Sequence, residues 1–300
     1  MRRHPVILGL LILVVLGFGL YLLFYAFGGT GKGRVFSQPN KVGVVTVEGI
    51  VTDASDVVRQ IEEMGEDGAV KAVVVRINSP GGGVAPAEEI FGALKELRKK
   101  KKVVASMGSI AASGAYLIAC ASDRIVANPG SVTGSLSAIM HFANAEALLK
   151  KIGLQATVVK SGRFKDIGTP VREMTPEERE LLQGVVDDIY DHLLDIVSAE
   201  RKIKKEELRK IADGRIFTGR QAKSLGLVDE LGDQGAAVRL AGKLGGIEGK
   251  PEVVYPRGKK RRLREILMQT ALSALWEQWR GQEGAFSGPF YLYLPPSGGG

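Results

Sequence analysis

The chain has 300 residues, of which 45% are hydrophobic and 25% charged, and its formal net charge is +8. This composition is that of a globular protein and excludes a largely disordered one. The basic residues form short runs without interleaved aromatic residues, which argues against a nucleic-acid partner. A single cysteine, Cys120, excludes an intrachain disulfide. The three histidines lie in no paired-ligand pattern, so we expect neither a metal nor another cofactor.

An uncharged apolar stretch begins the chain. Val6 to Phe27 comprises 22 residues, and about 20 suffice to cross the hydrocarbon layer as a helix. We therefore predict a retained transmembrane anchor over residues 1–28, followed by a Gly-rich linker over residues 29–40. Arg2 and Arg3 should stay in the cytoplasm by the positive-inside rule. The expected location is the cell membrane, with one span and the remaining domain on the extracytoplasmic side.

Strand-like and helix-like segments then alternate along the predicted domain, residues 41–248. Short β-branched or apolar runs predict strands, and amphipathic runs of helical period predict helices. Such alternation predicts an α/β fold with a mostly parallel sheet flanked by helices. The predicted strands are 42–47, 69–77, 103–106, 124–127, 135–140, 156–159 and 215–217. The predicted helices are 54–64 with Asp53 as N-cap, 85–100, 111–121, 177–201 with Thr175 as N-cap, 205–212, 220–225 and 235–244.

Two glycine-rich segments follow predicted strands. Asn78 to Gly83 reads as a turn, and it matches neither the Walker pattern nor GxGxxG. Three successive glycines are needed where the backbone closely approaches a ligand and points N–H groups at it, as an oxyanion hole requires. The second segment contains Ser113 among small residues at a predicted helix start. From the local sequence alone, Ser113 fits a nucleophile and a helix-packing serine equally well.

A serine nucleophile needs a base, for which the chain offers histidine or lysine. His141 and His192 have no distinctive sequence context. Lys165 lies outside the charged runs and follows the predicted apolar strand, so burial could lower its pKa from about 10.4 towards neutrality. Asp166 would raise that pKa if its carboxylate were close.

Five segments in order resemble the signal peptide peptidase A family in its short, single-unit form. The residues that carry the resemblance are Asn78–Gly83, Ser106–Tyr116, Thr133–Leu136, Ser161–Pro170 and Gly214–Gly232. The resemblance spans about Val42 to Gly245, and 52 residues separate Ser113 from Lys165. It implies the ClpP/crotonase fold and serine endopeptidase activity.

The resemblance also assigns roles to residues. It implies Ser113 as nucleophile, Lys165 as general base and Ser135 as the hydroxyl that orients the lysine amine. Gly114 would be one oxyanion donor, and the Gly81–Gly82 turn would supply the other, with Gly82 favoured. Ala115 stands where many relatives carry a second glycine, and this substitution could narrow the groove.

Partners follow from the same resemblance. It implies cleaved signal peptides and other hydrophobic membrane-associated peptides as substrates. It further implies a homo-oligomeric ring, with an octamer as the expected size, in which Ser113 and Lys165 of one site come from different subunits.

The C-terminal region, residues 249–300, predicts a basic amphipathic helix and a tail. The helix would lie either on the membrane surface or on a partner subunit. Pro289 to Leu294 has the pattern of a short apolar strand that could occupy a substrate groove. Two other functions remain open at this stage: an acyl-CoA hydratase or isomerase of the crotonase fold, and a non-catalytic membrane scaffold.

Overall fold

The computed structural model describes residues 13–20, 22, 40–256 and 290–292. The chain divides into two units, residues 1–38 and 39–300. In the first unit, residues 13–20 and 22 are helical. No helix among the described residues is both long and apolar enough to cross a bilayer. Most of the predicted anchor and linker, and residues 257–289 of the predicted C-terminal helix, lie outside the described residues.

The second unit is built on one mostly parallel sheet, as the alternating pattern predicted. Its described strands are β1 Lys41–Val51, β2 Val70–Gly83, β3 Lys102–Ala112, β4 Arg124–Ala127, β5 Val132–Gly134, β6 Ile216–Thr218, β7 Glu230–Leu231, β8 Glu252–Val254 and β9 Phe290–Leu292. The main order is β6-β5-β3-β2-β1-β8, and β4 joins β3 to β7. Only the β5–β6 and β2–β9 pairs are antiparallel among these strands. A mixed α/β fold with a mostly parallel sheet is thus confirmed.

Helices cover the sheet and connect its strands. They are α1 Ser55–Glu66, α2 Val84–Lys100, α3 Gly114–Cys120, α4 Glu146–Lys151, α5 Pro176–Arg201, α6 Lys205–Arg209, α7 Gly219–Ser224 and α8 Gln234–Leu244. The start of α5 is confirmed in detail, since Thr175 is its N-cap and Pro176 its first residue. Thr175 and Glu178 form a reciprocal capping box there, which satisfies two backbone N–H groups.

The main core lies between the sheet and the helices α2, α3 and α5. The central strands contribute valines without exposed surface, as expected for strands of a parallel sheet that are covered on both faces. Cys120 is buried in this core at the end of α3, in agreement with its predicted packing role. Burial raises the pKa of the Cys120 thiol to about 12, so it stays protonated and unreactive at neutral pH.

Three predicted elements differ in their boundaries because of local backbone geometry. The α1 N-cap is Ala54 rather than Asp53, whose carboxylate instead accepts a hydrogen bond from the Ser55 N–H. Asn78 to Gly83 is not a separate turn, because β2 continues through it. Its last residues pair with Ile50 and Val51 of β1 after a register shift.

The helix predicted over 111–121 begins only at Gly114, because β3 continues to Ala112.

Two predicted strands are wrong. Residues 135–140 do not form a strand, because the positive φ of 52° at Ser135 ends the extended chain of β5. Residues 156–159 form no strand either and are exposed. An apolar run becomes a strand only where a partner edge receives it, and the described chain offers none here.

Candidate active site

Ser113 occupies the junction between β3 and α3 in a strained backbone conformation. Its φ is 58° and its ψ is −124°, and its N–H donates to the Gly134 carbonyl oxygen at 2.8 Å. The side chain is fully buried, and its Oγ has no hydrogen-bond partner in the described structure. Strain of this kind costs about 1–3 kcal/mol and clusters at functional sites. An unsatisfied buried hydroxyl adds a further cost, so Ser113 in this conformation lowers the stability of the folded protein.

Ser135 lies directly beside Ser113. The carbonyl that accepts from the Ser113 N–H belongs to Gly134, the residue before Ser135. Ser135 also has a positive φ, and its N–H donates to the Arg215 carbonyl oxygen at 2.8 Å. Apart from the helix-capping Lys202, Ser113 and Ser135 are the only described non-glycine residues with positive φ. The structure therefore brings the backbone segments of these two predicted site residues together, each in a constrained conformation.

Two further buried hydroxyls fix this arrangement and were missed in the sequence. Thr133 Oγ1 donates to the Ala111 carbonyl oxygen at 2.6 Å, and Ser131 Oγ donates to that of Gly108 at 2.5 Å. Thr133 lies in β5 and Ser131 directly precedes it, and both bonds reach the part of β3 that leads to Ser113. Thr133 belongs to a segment that carries the family resemblance, but a hydroxyl at alternate positions is too common to indicate this bonding role.

The glycine-rich end of β2 lies beside the end of β3 that leads to Ser113. Asn78 Oδ1 accepts hydrogen bonds from the N–H groups of Ser109 and Ile110 at 3.1 and 3.3 Å, which ties β2 to β3. Ser79 Oγ, fully buried, accepts from the Gly81 N–H at 3.1 Å. The Gly81 N–H is thus already hydrogen-bonded within the chain. Gly114 is the first residue of α3, where N–H groups have no acceptor within the helix.

Gly82 is required by close packing against β1. A Cβ at this position would lie 2.1 Å from the Val51 carbonyl oxygen, a backbone atom that cannot move away cheaply. We expect Gly82→Ala to lower the free energy of unfolding by about 1–3 kcal/mol and to displace the glycine-rich end of β2. Thermal unfolding of the full chain would measure the loss of stability, and a crystal structure of the variant would show the displacement.

Gly92→Ala is the matched control for this substitution. Gly92 lies exposed in α2, and a Cβ there would meet no atom within 4 Å. Alanine in a helix is favoured over glycine by about 0.5–1 kcal/mol, so this variant should be more stable and equally active. Equal unfolding temperatures for the two variants would contradict the packing argument.

An extended segment already lies along the glycine-rich end of β2. Strand β9 pairs with it in antiparallel register, with Leu292 opposite Gly81 and Phe290 opposite Gly83. Part of the predicted C-terminal strand is therefore confirmed. The glycine-rich end of β2 therefore pairs with an additional antiparallel strand of the same chain.

Lys165 differs from the two serines in its surroundings. It is exposed, within a run of turns that we call the lysine turn (residues 161–170). Its side chain makes no hydrogen bond or ion pair with Ser113 or Ser135 in the described structure. The expected burial of Lys165 is therefore wrong for the single chain. An open cleft of about 590 Å³ lies beside the lysine turn, lined by residues that include Phe142, Gly168 and Arg172.

No metal-binding site is found in the part of the chain that the structure describes. Within it, no group of three or more His, Cys, Asp or Glu side chains could hold a metal ion.

Comparison with known proteins identifies the family. The model of peptidase family S49 matches residues 95–248, slightly more than half of the chain, and the model of Clp protease matches residues 34–132. The chain belongs to peptidase family S49. The S49 match contains Ser113, Ser135 and Lys165, and the Clp protease match contains the glycine-rich end of β2.

Individual relatives of this S49 chain agree with that assignment. A Synechocystis protein named as a candidate protease is 46% identical over 183 residues, which are 61% of this chain and 66% of the relative. A candidate protease of Methanocaldococcus jannaschii is 38% identical over 202 residues, 67% of this chain and 65% of the relative. The chloroplastic serine protease SPPA of Arabidopsis thaliana is 30% identical over 200 residues, which are 66% of this chain and 30% of the relative. The alignments thus span just under two thirds of the first two relatives.

Proposed function

We propose that this S49 chain is a membrane-anchored serine endopeptidase in which Ser113 is the nucleophile and Lys165 the general base. The observation that carries the proposal is Ser113 itself, with its strained backbone and its buried, unpartnered hydroxyl. A packing serine needs neither feature, and a nucleophile on a sharp strand-to-helix turn is held ready by both.

The proposed reaction is acyl transfer to Ser113. The neutral Lys165 amine takes the Oγ proton as Oγ attacks the substrate carbonyl carbon, and the N–H groups of Gly82 and Gly114 stabilise the oxyanion. The C–N bond then breaks, and the lysine returns its proton to the leaving amine. Water, deprotonated by the same amine, hydrolyses the ester and restores the serine. Ser135, next to Ser113 on the β5 side, would orient the lysine amine.

Lys165 must then come from a neighbouring subunit. In the single chain its amine is exposed, whereas Ser113 is buried without a base. A ring in which each subunit offers its lysine turn to the next satisfies both observations, since head-to-tail interfaces close into rings. The size we propose is an octamer.

The substrates we propose are cleaved signal peptides and other hydrophobic segments at the membrane, bound in extended form. The β2–β9 pairing supports this binding mode, because a peptide that replaced β9 at Gly81–Gly83 would run past Ser113 as an added strand. The anchor would keep the domain on the extracytoplasmic face of the cell membrane.

A fluorophosphonate probe on the full-length protein tests the proposal directly. The probe labels only activated serines, so we expect one adduct at Ser113, together with hydrolysis of a quenched apolar peptide. Ser109→Ala, an exposed serine four residues away, is the matched control and should keep both signals. Hydrolysis that persists without a Ser113 adduct would contradict the assignment of Ser113 as the nucleophile. The absence of both signals would favour a non-catalytic membrane scaffold.

A further inference from the structure

Arg172, two residues after the lysine turn, binds two carboxylates at once. Arg172 Nε donates to Asp166 Oδ2 at 3.0 Å, and Nη2 lies 3.0 Å from Asp166 Oδ1. The same guanidinium donates to both carboxylate oxygens of Glu178 at 2.8 and 2.5 Å. The Asp166 and Glu178 side chains are only 11% and 4% exposed. This geometry is more specific than that of a solvated surface pair.

The cluster attaches the lysine turn to the longest described helix. Glu178 belongs to the α5 capping box, where its carboxylate accepts from the Thr175 N–H at 2.9 Å. Further along, α5 contributes Leu193 and Val197 to the core. A continuous set of hydrogen bonds therefore runs from the core-anchored helix through Glu178 and Arg172 to Asp166.

Asp166 is the immediate neighbour of Lys165. The turn is held by backbone bonds from the Lys165 N–H to the Gly162 carbonyl and from the Thr169 N–H to the Asp166 carbonyl, at 3.2 and 3.1 Å. A free carboxylate this close would favour the ammonium form and raise the pKa of the lysine. Here Arg172 and Lys160 occupy both Asp166 oxygens. Hydrogen bonds from Arg172 and then Lys160 hold the pKa of the Asp166 carboxyl well below its usual range.

We propose that Arg172 is a positioning residue for Lys165: it ties the lysine turn to α5 and keeps the Asp166 carboxylate away from the lysine amine. The inference deepens the proposed function and rests on Lys165 being the base. Several other charged groups around the turn are paired within the chain, and His141, Glu173 and Arg179 line the adjacent cleft. These pairs are Lys160 with Asp166, Arg163 with Glu177, and Glu146 with Lys150, and the Glu146 carboxylate also accepts from the Glu173 N–H.

The pH dependence of kcat/KM for peptide hydrolysis tests the proposal in four full-length proteins: wild type, Arg172→Gln, Asp166→Asn and the double variant. A base works in its neutral form, so the acid limb of the profile follows the pKa of Lys165. Arg172→Gln leaves one excess negative charge on the Asp166 and Glu178 carboxylates, with only Lys160 to offset it, and we expect the acid limb to move up by about one pH unit. Asp166→Asn removes the carboxylate that pairs with Lys160, which leaves one excess positive charge, and should move the acid limb down. The double variant restores the local net charge and should return the limb towards that of the wild type.

Arg163→Gln is the matched control, because it removes a neighbouring arginine whose partner is Glu177 rather than Asp166. Its acid limb should stay in place. Asp166→Asn preserves the Arg172–Glu178 pair and the capping box, so it tests the proposal even if Arg172→Gln fails to assemble.

A purely structural role for Arg172 would lower kcat in both single variants and further in the double, with no opposite movement of the acid limbs, and would overturn the inference. If the acid limbs of the single variants do not move, while Lys165→Ala abolishes hydrolysis, the inference is overturned but the proposed function stands. Full hydrolysis by Lys165→Ala would instead remove the proposed base.

Discussion

Ser113→Ala should reduce kcat/KM for peptide hydrolysis by about 10³-fold or more, while the protein keeps or slightly gains stability. The loss of activity follows from removal of the nucleophile, since binding and oxyanion contacts alone sustain only a small residual rate. Stability should not fall, because alanine removes a buried hydroxyl that has no partner. Fluorogenic peptide kinetics and thermal unfolding of the full-length chain measure the two effects.

Ser122→Ala provides a closely matched control for this prediction. Ser122 is also buried, and its Oγ also lacks a partner in the described structure. It follows α3 instead of preceding it, so its replacement should leave hydrolysis unchanged. A Ser113→Ala protein that kept more than about a tenth of wild-type activity would refute the assignment of the nucleophile.

Mixing two inactive variants should restore activity if each site draws on two subunits. Lys165→Ala alone should be as inactive as Ser113→Ala, with little change in unfolding because the side chain is exposed. In rings formed from equal amounts of both variants, about a quarter of the sites would combine an intact serine with an intact neighbouring lysine. Co-expression with two affinity tags, followed by tandem purification and peptide hydrolysis, would measure this recovery.

The same experiment has a clear negative result. Mixed rings without recovery would show that Ser113 and Lys165 act within one chain or not at all. Lys151→Ala, an exposed lysine at the end of α4, should be fully active alone and serves as the control for charge loss in this region.

The sequence predicts most of the sheet and little of the environment of Lys165. Runs such as Val42–Val47 and Val70–Ile77 are rich in valine and interrupted by few polar residues, as expected for strands covered on both faces, so their placement needs little tertiary information. The α5 start is equally local, because Thr175, Pro176 and Glu178 form its capping signals by themselves.

The errors arise where a residue's conformation depends on a distant partner. The glycines of residues 81–83 look like a turn, but pairing with β1 and β9 makes them a strand end. Burial of Lys165 depends on what packs against the lysine turn, and neighbouring residues do not encode it. Arg172 was missed because its two carboxylate partners lie six residues away on opposite sides, a spacing that matches no recognised motif.

The left-handed backbone at Ser113 and Ser135 limits which residues could ever replace them. A β-branched side chain is a steric outlier at positive φ, so threonine, the usual chemical stand-in for serine, does not fit either position without strain. Cysteine has the same branching as serine and fits the same backbone. The proposed nucleophile Ser113 could therefore be replaced by cysteine without further backbone strain, but not by threonine.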